Sequence, residues 1–187
     1  MITRAQAWEL LTSKMKNQNL IRHCLSVEAV MKTLAKYFKS DEEKWSIVGL
    51  LHDGDYEETK NDPSQHTLKM HQWLKEMGED DEEILSAILS HNFAHTGQNA
   101  PKNNLEWLLY CCDELTGLIV AVALVKGKLL SNVTVESVLK KFPEKNFAAG
   151  VHREQIQKSE EKLGIRLEKF IEIVLQAMQG ISKELGL

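Results

Sequence analysis

The sequence predicts an all-α fold, a single-domain helical bundle, on three observations. Every long segment repeats apolar residues at three- and four-residue spacing, the period of one face of a helix. No stretch shows the apolar/polar alternation of a half-buried strand, and no internal repeat or low-complexity segment interrupts the pattern. The chain has 187 residues, 43% of them hydrophobic, enough for one sizeable core. The expected domain is 1–187, with a central part at about 20–125 and a helical C-terminal extension at about 133–187.

Taken in order, residues 4–16 read as a short amphipathic helix with Ala7, Leu10, Leu11 and Met15 on one side. Residues 19–39 form the next, whose apolar stripe holds Leu20, Val27, Val30, Leu34 and Phe38. His23 falls in that stripe, three after Leu20 and four before Val27, so it points inward. Ser40 followed by Asp41, Glu42 and Glu43 reads as an N-cap with acidic first-turn residues, which favour the helix dipole. The third helix then runs through Ile47 to Leu51 and delivers His52 and Asp53 at its last turn. Neutral imidazole and ionised carboxylate are both ligands of divalent transition metals, so this adjacent pair can supply two corners of one site.

The acidic stretch from Gly54 to Pro63 reads as a loop, most of whose carboxylates are expected to be solvated. Ser64 is the expected cap of a fourth helix to Met77, with His66 opening its buried stripe of Met70, Trp73 and Met77. A fifth helix follows Glu79 to Glu83, and its inward face of Ile84, Ala87 and Ile88 ends on His91. Asn92 to Asn104, with Gly97 and Pro101, reads as a surface loop that contains His95. Leu105 to Val125 is the most apolar helix, and Asp113 sits in its middle. A buried carboxylate there is costly unless it meets a cation or strong donors, so Asp113 is the least incidental of these residues. Glu114 adjoins it. Helices at 133–142, from Arg153 to Leu163 and at 165–180 complete the chain, with Gly164 breaking the last two apart.

Charge is uneven. Asp41 to Glu83 holds 14 acidic residues against 4 lysines, whereas Lys126 to Lys169 holds 10 basic against 6 acidic. An acidic front and a basic back suit a metal site that meets an anionic substrate. No basic stripe interleaved with aromatics points to nucleic acid. The longest apolar run, Leu118 to Val125, falls short of the roughly 18 residues a membrane span needs, and no secretory signal is expected at the N-terminus. Cys24, Cys111 and Cys112 lie inside apolar helical patterns, as reduced thiols do, which predicts a cytoplasmic location. The sequence sets no oligomeric state.

His23, His52, Asp53 and Asp113 resemble the H…HD…D signature of the HD-domain metal-dependent phosphohydrolases, over about residues 20–125. The stretches Asp113 to Gly117, Lys140 to Phe142 and Phe147 to Arg153 resemble one group of HD hydrolases into the C-terminal third. The resemblance implies a helical bundle of the HD type, one or two divalent transition metals (Fe, Mn, Co, Ni or Zn) and hydrolysis of a phosphorylated small molecule, a nucleotide above all. Under it His52, Asp53 and Asp113 are the catalytic candidates. His66 and His91 resemble the additional histidines of the dinuclear branches, in which Asp53 would bridge two ions. Two departures stand out: Met70 where those branches often have a small residue, and Gly54-Asp55-Tyr56 after the HD pair where one subgroup has Ile-Gly. Arg153, ahead of Lys140, Lys141 and Lys126, is the first candidate to hold phosphate oxygens, and Glu114 is a further substrate-binding candidate. The same ligand set also suits a di-iron centre that activates oxygen, and a chain of this kind can serve as a non-catalytic nucleotide sensor.

Overall fold

A computed structural model describes residues 1–187, all of whose regular structure is helical. Helix α1 (Arg4–Lys14) starts in a capping box between Thr3 and Gln6, and α2 (Gln18–Phe38) starts where Asn17 accepts the N–H groups of Asn19 and Leu20. The third helix, α3 (Glu42–Leu51), is capped by Asp41, whose side chain accepts the Lys44 N–H, rather than by Ser40; Lys39, in a left-handed conformation (φ 55°), ends α2. Every α3 residue from Trp45 to Leu51 is buried, so beyond its exposed first turn α3 is a core helix with no solvent face.

Helices α2 and α3 cross with their backbones in contact. A Cβ added at Gly49 would lie 2.8 Å from the Val27 carbonyl oxygen and 3.0 Å from Glu28 Cα. Glycine at this position is what lets His23 of α2 come beside His52 at the end of α3.

The acidic stretch after Asp53 is more ordered than expected: a short helix α4 (Tyr56–Thr59) precedes a 3₁₀ turn at Pro63–Gln65. Helix α5 (Leu68–Glu76) begins after Thr67, not after Ser64. Ser64 bonds to Asp62 inside the 3₁₀ turn, and the first turn of α5 is capped from a distance: the buried Asp55 carboxylate accepts the Met70 N–H at 3.0 Å. His66 therefore lies in the turn ahead of α5 and not on its stripe. Helix α6 (Glu82–His91) is capped by Asp81, and the short α7 (Phe93–Thr96) occupies part of the expected loop.

Helix α8 (Asn104–Val125) is by length and composition apolar enough to cross a membrane, although the longest uninterrupted apolar run is short. Here it is a central core helix, packed against α2, α6 and two later helices, with 13 residues buried. Those helices are α10 (Arg153–Leu163) and α11 (Leu167–Gln179), reached through α9 (Val135–Lys141); α12 (Ser182–Leu185) closes back on α2. One apolar core runs from Ile2 to Leu185.

Candidate metal centre

Four helices and one turn bring six side chains together. From α2, His23 places Nε2 2.8 Å from Asp113 Oδ1 of α8 and 3.6 Å from Asp53 Oδ2. His52 follows α3 in helical conformation, fully buried, and its Nδ1–H donates to the Gly49 carbonyl at 2.8 Å. That bond fixes the tautomer, leaving the Nε2 lone pair aimed into the cluster. His52 Nε2 lies 3.2 Å from His23 Nε2, 3.5 Å from Asp113 Oδ1 and 3.7 Å from Asp53 Oδ2. On the other side, Asp53 Oδ1 is 3.2 Å from His66 Nε2 and 3.1 Å from His91 Nε2. The Asp53 carboxylate thus stands between two histidine pairs, one oxygen toward each.

His66 owes its place to tertiary bonds. Its Nδ1–H donates to Asp55 Oδ1 at 2.7 Å, and the same carboxylate caps α5 through Oδ2. Asn92, just after α6, donates through Nδ2 to the carbonyls of Pro63 and His66 at 2.9 and 3.1 Å, so the turn carrying His66 is tied to the helix end carrying His91. The sequence marks Asp55 only as one of four loop carboxylates that could position water or a second metal, most of them expected to be solvated; its position two residues after Asp53 is the signal that singles it out. His91 lacks such a partner: its Nδ1 is buried and unbonded.

The electrostatics follow from this crowding. Burial opposes ionisation of Asp113 and Asp53, but the neighbouring imidazoles outweigh it and hold both carboxyls well below their ordinary range. Burial likewise opposes protonation of His23, yet the Asp113 hydrogen bond and the charges of Asp113 and Asp53 raise it to about 9. His66 is also raised to about 9, against burial, by Asp53 and Asp55. Burial prevails at His91, which is lowered. The cluster is thus built around two fixed carboxylates that require positive charge among them.

The donor set fits a divalent transition metal. Imidazole nitrogens and carboxylate oxygens of His23, His52 and Asp113 all lie within 4.8 Å of one another, as do those of His52, Asp53 and His91. With two carboxylates and four imidazoles the set offers six side chains, more than the four ligands of a tetrahedral ion.

The substrate-binding candidates fare differently. Arg153 donates to the carbonyls of Phe142, Glu144, Phe147, Ala148 and Val151. It staples the 142–151 loop, and its fork is engaged with these carbonyls. Lys140 is exposed in the last turn of α9, with no ion pair or hydrogen bond to the cluster. Glu114 accepts the His152 N–H at 2.9 Å and ties that turn to α8; burial and the Asp113 charge push its carboxyl up to about 7.

The two departures near the HD pair compensate each other. The Met70 methyl lies 2.1 Å from where a Cβ at Gly54 would be, so Met70, fully buried, occupies the space a side chain at position 54 would need.

Comparison with known proteins gives one match. The family model described as HD domain matches residues 20–123, more than half of the chain, from the start of α2 to near the end of α8, and includes all six clustered side chains. No curated protein and no solved structure matches.

Proposed function

The chain belongs to the HD-domain family, and from that premise we propose that it is a metal-dependent phosphohydrolase with a dinuclear centre, acting on a phosphorylated small molecule of the nucleotide class. The observation that carries this reading is the Asp53 carboxylate, with one oxygen facing His23 and His52 and the other facing His66 and His91. One ion would be held by His23, His52 and Asp113 and the other by His66 and His91, with Asp53 shared.

Bound divalent ions supply Lewis acidity toward phosphoryl oxygens and bring the pKa of water near neutrality. The protein's own part is positioning and charge. His52, locked by Gly49 and closed off from solvent, holds its lone pair in one direction; Asp55 does the same for His66. Asp53 and Asp113 stay ionised and so fix the ligand charge. Phosphoryl transfer asks chiefly for such positioning and electrostatics.

The test is reconstitution with iron, manganese or cobalt, metal counting, and a screen of phosphomonoesters, phosphodiesters and phosphoanhydrides for phosphate or nucleotide release. Two ions per chain with metal-dependent release that disappears in Asp53→Asn is the expected result. A fully loaded protein that consumes oxygen, or that releases nothing from any class, overturns the reading.

A further inference from the structure

Exposure across the cluster rises from His52, whose side chain is fully buried, to His23, whose side chain is 25% exposed. His23 is also part of the wall of a cavity of about 480 Å³, a volume within the range of small-molecule sites. The cavity continues the groove between α2 and α8 away from the metal centre. Gly117, Val120 and Leu124 in its wall lie four, seven and eleven residues after Asp113 on one stripe of α8, which extends the groove about 16 Å along the helix.

The lining is cationic in a chain with more acidic than basic residues: Arg22 and Lys128 face the cavity, and no acidic side chain does. Arg4 is committed to Glu28 and Arg153 to loop carbonyls; Arg22 and Lys128, like Arg166 on another face, make no ion pair. Both are placed by the fold. Arg22 lies flat against the backbone of Gly186, where an added Cβ would come 3.3 Å from its Cζ. Lys128 sits in a left-handed turn with Gly127, folded back over the end of α8 by the bond from its N–H to the Ala123 carbonyl at 2.9 Å.

We infer that this cavity receives the part of the substrate beyond the scissile phosphoryl group, and that this part carries a second phosphate, held by Arg22 and Lys128 beside an apolar wall of Val120 and Leu124. The inference rests on the phosphohydrolase reading and narrows it to substrates with two phosphate groups on one organic body. A guanidinium can hold phosphate oxygens with two parallel bonds, and a nearby ammonium adds charge with no Asp or Glu side chain in the wall to compete.

The test uses matched probes on the metal-loaded full chain: adenosine 5′-monophosphate against adenosine 3′,5′-bisphosphate, and ribose 5-phosphate against ribose 1,5-bisphosphate, titrated by calorimetry. Within at least one pair the bisphosphate is expected to bind about tenfold tighter or more. In Arg22→Gln/Lys128→Gln, two exposed positions whose replacement is checked by an unchanged melting curve, that ratio should collapse toward one. Equal affinities within both pairs, no binding of either bisphosphate, or a ratio that survives the double substitution overturns the inference. Failure of the two readings is distinguishable. A protein that binds bisphosphates through Arg22 and Lys128 but hydrolyses nothing loses the enzyme reading and keeps the cavity. One that hydrolyses monophosphates with no regard for a second phosphate loses the cavity and keeps the enzyme.

Discussion

The two halves of the metal centre are built in different ways. His23, His52 and Asp113 come from long helices, α2, α3 and α8, whose relative placement is set by core packing and by the close crossing at Gly49. His66 and His91 come from a turn and a helix end, and their placement depends on three polar groups: Asp55, Asn92 and the Met70 N–H. A half built on helix crossings inherits the rigidity of the core. A half built on buried hydrogen bonds stands or falls with each bond, because a buried group left without its partner carries the full cost of its desolvation.

Breaking the shared element should affect both halves at once. Asp53→Asn changes the carboxylate that lies within 3.7 Å of both histidine pairs, so metal content should fall toward zero and any turnover with it, as read by metal analysis beside an activity assay. Retention of two ions in that variant would mean the halves are independent and the shared-carboxylate picture is wrong.

Next in size is the helix half. Gly49→Ala puts a methyl group 2.8 Å from the Val27 carbonyl oxygen, and overpacking of this kind costs about 1–3 kcal/mol. Denaturant unfolding should show that loss, together with weaker binding of the ion at His23 and His52, since α2 and α3 must separate. Unchanged stability would show that the crossing is looser than its geometry.

The hydrogen-bonded half should respond more selectively. Removing a group that orients a ligand histidine costs roughly 10–100-fold in metal affinity. Asp55→Ala should therefore take the stoichiometry from two ions to one at limiting metal, while the helix half keeps its ion. Equal loss from both halves would erase the contrast between them.

The smallest expected effect is at Asn92. Asn92→Ala deletes the two bonds to the Pro63 and His66 carbonyls and should lower stability by about 0.5–1.5 kcal/mol, with metal loss confined to the His66 and His91 pair. If melting and stoichiometry both stay at wild-type values, the tie between the turn and α6 carries no weight.

Much of the helix half was legible in the residues. His23 lies on the stripe of α2, Asp113 is a carboxylate in the most apolar helix, and His52 ends the buried side of α3; helical periodicity aims these three inward, and Asp53 follows as the neighbour of His52. The inward direction of His66 was also read, but for a reason the fold replaces. The expected helix from Ser64 would have carried it, whereas it sits before α5, turned in by Asp55 and followed by Thr67 at φ 70°. Arg153 shows the converse. Its sequence neighbourhood suggested an anion, and the surrounding carbonyls claim it instead.

By itself, then, the sequence determined the helical architecture and which side chains of the long helices face the core, because both depend on periodicity within about a dozen residues. Only the tertiary structure decided that Asp53 has one oxygen toward each histidine pair, that Asp55 caps α5 while orienting His66, and that Met70 fills the space left by Gly54. These are contacts between residues far apart in direction or in chain, and their geometry is fixed by how helices cross and where buried polar groups find partners, which no local pattern encodes.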